Sequence, residues 1–122
     1  IALVGRNQAK LDKVSGELKA KGATVFGFNA DMTSESDVKR LAGEVNAKFA
    51  NPQILINSAG INIRKPGTEF TLKEWTSVVD SSLVPTFLAC TAFVPGMKGT
   101  CYCRIISLSS IMAHVSLPNR TA

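Results

Sequence analysis

Residues 54–60 constrain the fold of this chain more than any other stretch, because an apolar run leads directly into a turn. Ile54, Leu55 and Ile56 are followed at once by Asn57-Ser58-Ala59-Gly60. A short apolar run that ends in turn residues is typical of a strand buried on both faces of a parallel sheet. The turn would then lie at the carboxyl end of the strand, where α/β sheets bind their ligands. The alternative is a plain tight turn at Gly60, whose backbone is free to bend sharply.

The length and composition of the chain predict one globular domain at most. The 122 residues are 45% apolar and 19% charged, which fits a soluble protein and argues against disorder. We expect no membrane span, no signal peptide and no membrane partner. We also expect a cytoplasmic protein, in which reduced thiols are the default. Because the chain starts within a strand-like run and lacks an initiator Met, we also expect an internal fragment.

The charges and cysteines predict neither a nucleic-acid partner nor a metal site. The net charge is +5, but the 14 basic residues are scattered, and those of the first predicted helix alternate with acids. A solvated helix face explains them better than a nucleic-acid patch. Cys90, Cys101 and Cys103 lack metal-ligand spacing and lie far from His114 in sequence. Reduced thiols are expected.

Apolar periodicity predicts strands and helices in strict alternation. Strands are predicted at residues 1–4, 23–28 and 101–108, besides the central one at 54–57. Asn7, Ser34 and the Thr71-x-x-Glu74 capping box are predicted to start the three helices. The last helix is predicted to end at Pro95-Gly96 and to kink at Pro85. Its inward-facing residues are predicted to be Trp75, Val78, Val79, Leu83, Phe87 and Cys90. This order predicts right-handed βαβ units and an α/β fold with a parallel sheet.

Two motifs carry a resemblance to a known family. Asn57-Ser58-Ala59-Gly60 resembles the Asn-Asn-Ala-Gly signature of the classical short-chain dehydrogenases/reductases, and residues 104–110 resemble the strand that leads to their catalytic serine. The resemblance covers almost the whole chain and implies a Rossmann-type doubly wound parallel sheet, with residues 1–122 as a partial NAD(P)-binding domain. The family's first strand, its glycine-rich turn and its Tyr-x-x-x-Lys pair would lie outside this chain. We therefore expect the isolated chain to be inactive, marginally stable and prone to aggregation.

The resemblance assigns Ser110 and Ser82 to the catalytic site. Ser110 matches the serine that hydrogen-bonds the substrate oxygen during hydride transfer. Ser82 stands where the family has an Asn that holds a water in a proton relay, and Pro85 changes the backbone nearby, so that relay departs from the family pattern. The alternative for Ser110 is a serine that satisfies backbone groups at a strand end.

The cofactor site predicted from the resemblance comprises Arg6, Asp31, Asn57, Ala59 and Gly60. An acidic residue at the position of Arg6 would accept from a ribose 2′-hydroxyl, whereas an arginine pairs with a 2′-phosphate, so NADP is expected and NAD is possible. Asp31 is expected to accept from the adenine amino group. The other three would lie against the ribose. A surface arginine and a loop aspartate are the alternatives.

The function implied is an oxidoreductase that transfers a hydride between NADP(H) and a secondary alcohol or ketone. The loop at 60–66 resembles that of gluconate 5-dehydrogenase-like members, where Arg64 or Lys65 would suit a sugar acid. A 3-oxoacyl thioester, as used by the 3-oxoacyl-carrier-protein reductases, is a second small-molecule substrate. The parent protein is expected to be a homo-oligomer, a dimer or tetramer. The alternative from another class is a non-catalytic Rossmann module that binds a nucleotide or a partner.

Overall fold

The computed structural model describes residues 1–115 and 117–119, and it confirms the alternation of strands and helices. In chain order the elements are β1 (Ala2–Gly5), α1 (Gln8–Ala20), β2 (Phe26–Asn29), α2 (Glu35–Phe49), β3 (Ile54–Asn57), α3 (Leu72–Met97) and β4 (Arg104–Ser107). Single turns of 3₁₀ helix at Gly67–Glu69 and Ile111–Ala113 complete the described elements. The strand β1 is shifted from its predicted position, and β2 and β4 are shorter than predicted. Such differences are usual at element boundaries.

The strands form two parallel pairs rather than one continuous sheet. Ala2 of β1 lies opposite Phe26 of β2, and Ile54 of β3 lies opposite Arg104 of β4. Within the described residues no strand joins the two pairs, which matches the expected partial Rossmann sheet with one strand lacking.

The prediction that β3 is buried on both faces was wrong. The side chains of Ile54 and Ile56 are 50% and 59% exposed, whereas Leu55 is half-buried and Asn57 is buried. The reason is that α3 packs on one face of β3, whereas the face that carries Ile54 and Ile56 stays open in the described part of the chain.

Each of the three helices begins at the residue predicted from the sequence. Asn7 accepts a hydrogen bond from the Lys10 N–H at 3.0 Å, and Ser34 accepts from the Asp37 N–H at 3.3 Å. At the start of α3 the Thr71-x-x-Glu74 box is complete in both directions. These bonds satisfy backbone donors that have no partner inside a helix, and each stabilises a start by about 1 kcal/mol.

The core lies between β2, α2 and α3 and holds the two strand pairs together. Its buried members are Phe28, Ala30, Leu41, Val45, Ala89 and Phe93, and Leu55 of β3 packs against them. Burying apolar surface here is the main stabilising contribution, at about 25 cal/mol per Å² removed from water. The position of α3 over β3 therefore follows from this cluster.

The inward face of α3 differs from the prediction. Trp75, Leu83 and Phe87 are 41%, 66% and 67% exposed, and the buried residues are Val78, Pro85, Ala89, Phe93 and Met97. Val78 is buried as predicted, and the other buried residues continue from it at helical spacing along the face that packs against α2 and β3. The helix also continues past the predicted end at Pro95-Gly96 to Met97, with Pro85 and Pro95 inside it.

By length and composition alone, the described helix α3 is long and apolar enough to cross a membrane. It has 26 residues, and an 18-residue window within it has a mean hydropathy of 1.5. Length and composition alone are weak evidence for a span, because the core helix of a globular domain passes the same test. Here one face of α3 packs against α2 and β3.

Candidate functional site

Residues that follow β1, β2 and β3 meet the side of α3 around one cavity. The cavity has a volume of about 340 Å³ and is lined by Arg6, Thr33, Ile61, Ser77, Asp80, Ser81 and Val84. Arg6 comes directly after β1, Thr33 lies beyond the end of β2, and Ile61 follows Gly60. The carboxyl ends of parallel strands are where an open α/β sheet binds its ligands, so the cavity lies at the expected edge.

Asn57 connects β3 to both of its neighbours. Its amide nitrogen donates to the Ser107 hydroxyl at 3.3 Å and lies 3.8 Å from the Cys90 sulfur. The side chain is 9% exposed, so these contacts give a buried polar group the partners it needs. Asn57 therefore fixes the position of the turn that follows it.

Gly60 lies beside α3 at the end of that turn. A Cβ atom placed on Gly60 would lie 3.4 Å from the Ser82 hydroxyl oxygen. Ala59 and Gly60 are both exposed to solvent. One side of the turn is therefore exposed to solvent, and the other side lies close to Ser82.

Arg6 and Asp31 lie close enough to influence each other. The Asn29 side chain donates to the Arg6 carbonyl oxygen at 3.1 Å, which ties the ends of β1 and β2 together. Asp31 Oδ1 accepts from the Thr33 hydroxyl at 2.7 Å and from the Thr33 N–H at 2.9 Å. The Thr33 hydroxyl, then the Thr33 N–H, and to a smaller extent the charge of Arg6 hold the pKa of Asp31 below its ordinary value. Asp31 is therefore a carboxylate at neutral pH.

The hydroxyl of Ser82 is used inside its own helix. Ser82 Oγ donates to the Val78 carbonyl oxygen at 2.8 Å, and Ser81 Oγ donates to the same oxygen at 3.1 Å. Pro85 has no N–H with which to bond the Ser81 carbonyl four residues earlier. The hydroxyl hydrogen of Ser82 is therefore engaged, whereas the hydroxyl oxygen can still accept a hydrogen bond.

Ser110 lies three residues beyond the end of β4 and starts a short 3₁₀ helix. Its hydroxyl oxygen accepts from the Met112 N–H at 3.1 Å, as expected of a serine that satisfies a backbone group at a strand end. Among the described residues no acceptor takes the Ser110 hydroxyl hydrogen. The bond from Met112 therefore orients the oxygen and leaves the O–H free to donate.

The loop between Gly60 and α3 is fastened by an ion pair that the sequence analysis missed. Lys65 Nζ lies 2.7 Å and 2.6 Å from the two carboxylate oxygens of Glu74, which also accepts from the Thr71 N–H and hydroxyl. The bond from Lys65 first, and then those from Thr71, lower the pKa of Glu74 to about 2. Lys65 is thus engaged within the protein, whereas Arg64 is exposed and makes no ion pair with a described residue.

Sequence analysis also missed the wall that α3 contributes to the cavity. The four residues of this wall follow the i, i+3, i+4, i+7 spacing of one helix face, which was the signal available in the sequence: Ser77, Asp80, Ser81 and Val84.

Within residues 1–115 and 117–119 no three His, Cys, Asp or Glu side chains are grouped to hold a metal ion.

The fold and the candidate site define a Rossmann-type α/β protein whose polar groups surround the carboxyl ends of its parallel strands. The family model described as short chain dehydrogenase matches residues 1–122, and the chain belongs to that family. Sequence relatives include a 3-oxoacyl-[acyl-carrier-protein] reductase of Staphylococcus aureus, 30% identical over 93% of this chain and 46% of the relative. A D-threitol dehydrogenase of Mycolicibacterium smegmatis is also 30% identical, over the whole chain and 47% of the relative.

Solved structures support the same fold. A gluconate 5-dehydrogenase from Burkholderia cenocepacia, in complex with NADP and tartrate, superposes with a TM-score of 0.87 at 22% identity over 99% of this chain and 48% of that one. A short chain dehydrogenase/reductase from Burkholderia phymatum in complex with NAD gives 0.89 at 23% identity, over 98% and 43%. The chain therefore spans about half the length of these relatives.

Proposed function

We propose that residues 1–122 are a partial NAD(P)-binding domain of an oxidoreductase that interconverts a secondary alcohol and a ketone. The observation that carries this proposal is Ser110, which lies three residues beyond β4, with its oxygen oriented by the Met112 N–H and with no acceptor among the described residues for its hydroxyl hydrogen. Membership of the short chain dehydrogenase family supports the same chemistry.

In the proposed reaction, this chain positions the substrate and the cofactor. Ser110 donates a hydrogen bond to the substrate oxygen, which holds the reacting carbon in place and stabilises charge on that oxygen. Ser82, at the family's Asn position, offers an acceptor oxygen beside Gly60. The nicotinamide supplies or accepts the hydride when it is bound. The proton needs the tyrosine of the Tyr-x-x-x-Lys pair, so residues 1–122 alone are proposed to be inactive.

The residues present fit the adenosine half of a nicotinamide dinucleotide. Arg6 lines a cavity at the strand ends and makes no ion pair with a described residue, so its guanidinium is available to pair with a 2′-phosphate. Asp31 is charged beside it and keeps one carboxylate oxygen for the adenine amino group. Asn57, Ala59 and Gly60 form the turn beneath the ribose. NADP is the proposed cofactor, with NAD as the second choice.

The proposed substrate is a small molecule, either a sugar acid or a 3-oxoacyl thioester. Arg64 supports the sugar acid, because it is exposed on the loop next to Gly60 while its neighbour Lys65 is held by Glu74. A 3-oxoacyl thioester is supported by the reductase of Staphylococcus aureus. The parent protein is proposed to be a cytoplasmic homo-oligomer, a dimer or tetramer, without nucleic-acid or membrane partners.

One observation favours a second function, a non-catalytic Rossmann module that binds a nucleotide or a partner. The Ser82 hydroxyl hydrogen is engaged by Val78, and Pro85 interrupts the helix bonding nearby, so a water relay at this point has fewer donors than an Asn would supply. A module that only binds would retain Arg6 and the cavity but would not need Ser110.

Substitution of the two neighbouring serines in the full-length protein tests the proposal. Ser110→Ala is expected to lower kcat at least a hundredfold while NADPH affinity, measured by fluorescence titration, stays within about twofold, because the hydroxyl acts on the substrate. Ser109→Ala is the matched control and is expected to be mild. Dinucleotide binding with no turnover of any alcohol or ketone would favour the binding module. A larger loss from Ser109→Ala would move the catalytic assignment by one residue.

A further inference from the structure

Residues 58–64, the segment that follows β3, are not held along their length by hydrogen bonds. The segment contains the turn at Gly60, which lies beside α3, and Ile61, which lines the cavity at the strand ends. None of its residues makes a hydrogen bond with any described residue. Holding such a segment in one arrangement costs conformational entropy, so its position depends on how its two ends are held.

The two ends of this segment are held by different bonds. Immediately before it, the Asn57 side chain donates to the Ser107 hydroxyl at 3.3 Å. Immediately after it, Lys65 Nζ lies 2.7 Å and 2.6 Å from the two carboxylate oxygens of Glu74. The same ammonium lies over the Phe70 ring, 5.4 Å from the ring centroid. Asn57 thus ties the segment to β4, and Lys65 ties it to the start of α3.

The pair between Lys65 and Glu74 is more shielded from water than the pair between Arg40 and Glu44 on α2. The side chains of Lys65 and Glu74 are 24% and 33% exposed, against 46% and 43% for the pair on α2. Attraction between partly buried charges is screened less by salt and solvent. The Thr71 N–H, which donates to Glu74 at 2.9 Å, also fixes the carboxylate. Lys65 therefore binds to a partner that is itself held in place.

We propose that Lys65 is a positioning residue, whose ion pair with Glu74 holds residues 58–64 in the arrangement that binds the cofactor. This inference rests on the proposed dinucleotide site and assigns Lys65 no contact with the cofactor itself. The pair orders the turn at Gly60 and the cavity wall at Ile61 before the cofactor arrives, so less conformational entropy is lost on binding. Without the pair, the binding energy of the cofactor would have to order the segment.

Binding of NADPH to the full-length protein tests this role without requiring a substrate. Lys65→Met keeps the unbranched apolar stem but removes the charge, and it is expected to weaken NADPH binding about three- to tenfold in a fluorescence titration. Lys65→Arg retains a cation that can pair with Glu74, and its affinity is expected to stay within about twofold of the wild type. Lys73→Met is the matched control, because Lys73 is exposed on α3 and makes no ion pair with a described residue. Its NADPH affinity should equal that of the wild type.

Glu74→Gln tests the same ion pair from its other side. A glutamine can still complete the capping box with Thr71, so the start of α3 is kept while the charge is removed. The chain around Arg64 is unchanged in this variant, so its cleavage by an arginine-specific protease reports the freedom of the segment. Cleavage after Arg64 is expected to become at least about threefold faster, as measured by mass spectrometry of the fragments. Cleavage after Arg40, inside α2, is the internal control and should not change.

Two results would overturn the inference. One is an NADPH affinity of Lys65→Met that equals the wild type while Tm falls, because the pair would then stabilise the fold without preparing the site. The other is an unchanged rate of cleavage after Arg64 in Glu74→Gln, because the segment would then be held without the pair. A wild type that binds no NADPH would refute the proposed function as well, so the wild type alone distinguishes the two failures.

Discussion

Replacing Ala50 with glycine should stabilise the protein, although the change removes a methyl group. Ala50 ends α2 with φ 58° and ψ −153°, a backbone conformation that is almost restricted to glycine. Its N–H still bonds the Asn46 carbonyl at 2.9 Å, and the residue is exposed, so its methyl group contributes little burial. Relief of the strained backbone is therefore the main effect of the substitution on the folded protein.

Neighbouring contacts explain why the chain keeps this conformation at Ala50. Asn51 lies against the end of α3, so closely that a Cβ atom on Gly96 would come within 2.6 Å of the Asn51 side-chain oxygen. Pro52 follows and restricts the residue before it to an extended conformation. The turn between α2 and β3 is thus fixed on both sides of Ala50, and the strain cannot relax locally.

The size of the effect follows from two opposing contributions. A residue held in this region costs about 1–3 kcal/mol, and glycine costs about 0.4–1 kcal/mol through the greater freedom of the unfolded chain. Ala50→Gly is therefore expected to raise the free energy of unfolding by about 1 kcal/mol, or Tm by about 2–4 °C in a protein of 150–250 residues.

Ala47→Gly is the matched control for this prediction. Ala47 is exposed and lies inside α2, where glycine should cost about 0.5–1 kcal/mol. Thermal unfolding of the full-length protein should therefore give shifts of opposite sign for the same chemical change. Destabilisation by both variants to a similar extent would show that Ala50 is not strained.

Two further predictions concern the charged residues. Arg6→Ala should raise the KM for NADP at least tenfold while the KM for NAD changes little, because a phosphate contact worth about 1.5–3 kcal/mol is lost. Steady-state kinetics with both cofactors measures the two KM values, and an equal rise in both would contradict the prediction. Glu74 has a pKa of about 2 in the folded protein against an ordinary 4.5, so its stabilising contribution is present above about pH 4.5 and is lost as the pH falls toward 2. Tm profiles of the wild type and Glu74→Gln should thus run parallel above pH 5 and converge below it, and parallel profiles down to pH 2 would rule out the assigned role of Glu74.

The order of elements and the helix starts could be predicted because local chemistry decides them. Each helix begins with a capping residue that accepts from the N–H group three residues later, and this spacing is visible in the sequence: the capping residues are Asn7, Ser34 and Thr71. The edge of the sheet that carries the candidate site could be predicted for the same reason, because polar residues follow each strand. The family resemblance supplied roles for Ser110 and Arg6 that periodicity alone does not carry.

The inward face of α3 was not predictable from local pattern, and the helical spacing of the cavity wall marked a helix face without showing what it lines. Large apolar residues occur on several faces of α3, so hydrophobicity gives no single direction, and packing against α2 and β3 selects the face with Ala89 and Pro85. Asp80 was overlooked because an aspartate on an apolar helix is usually just a solvated residue. Only the folded chain shows that Asp80 lines the same cavity as Arg6.

The separation of the two described strand pairs has a consequence for how residues 1–122 loosen as an isolated chain. No hydrogen bond between described strands joins the pairs, and the side chains packed around Leu41 and Phe93 lie between them. Each half can therefore open as a separate cooperative unit. Amide hydrogens of the two pairs are expected to exchange with solvent in two groups at different rates, and a strand inserted between the pairs would merge these groups into one.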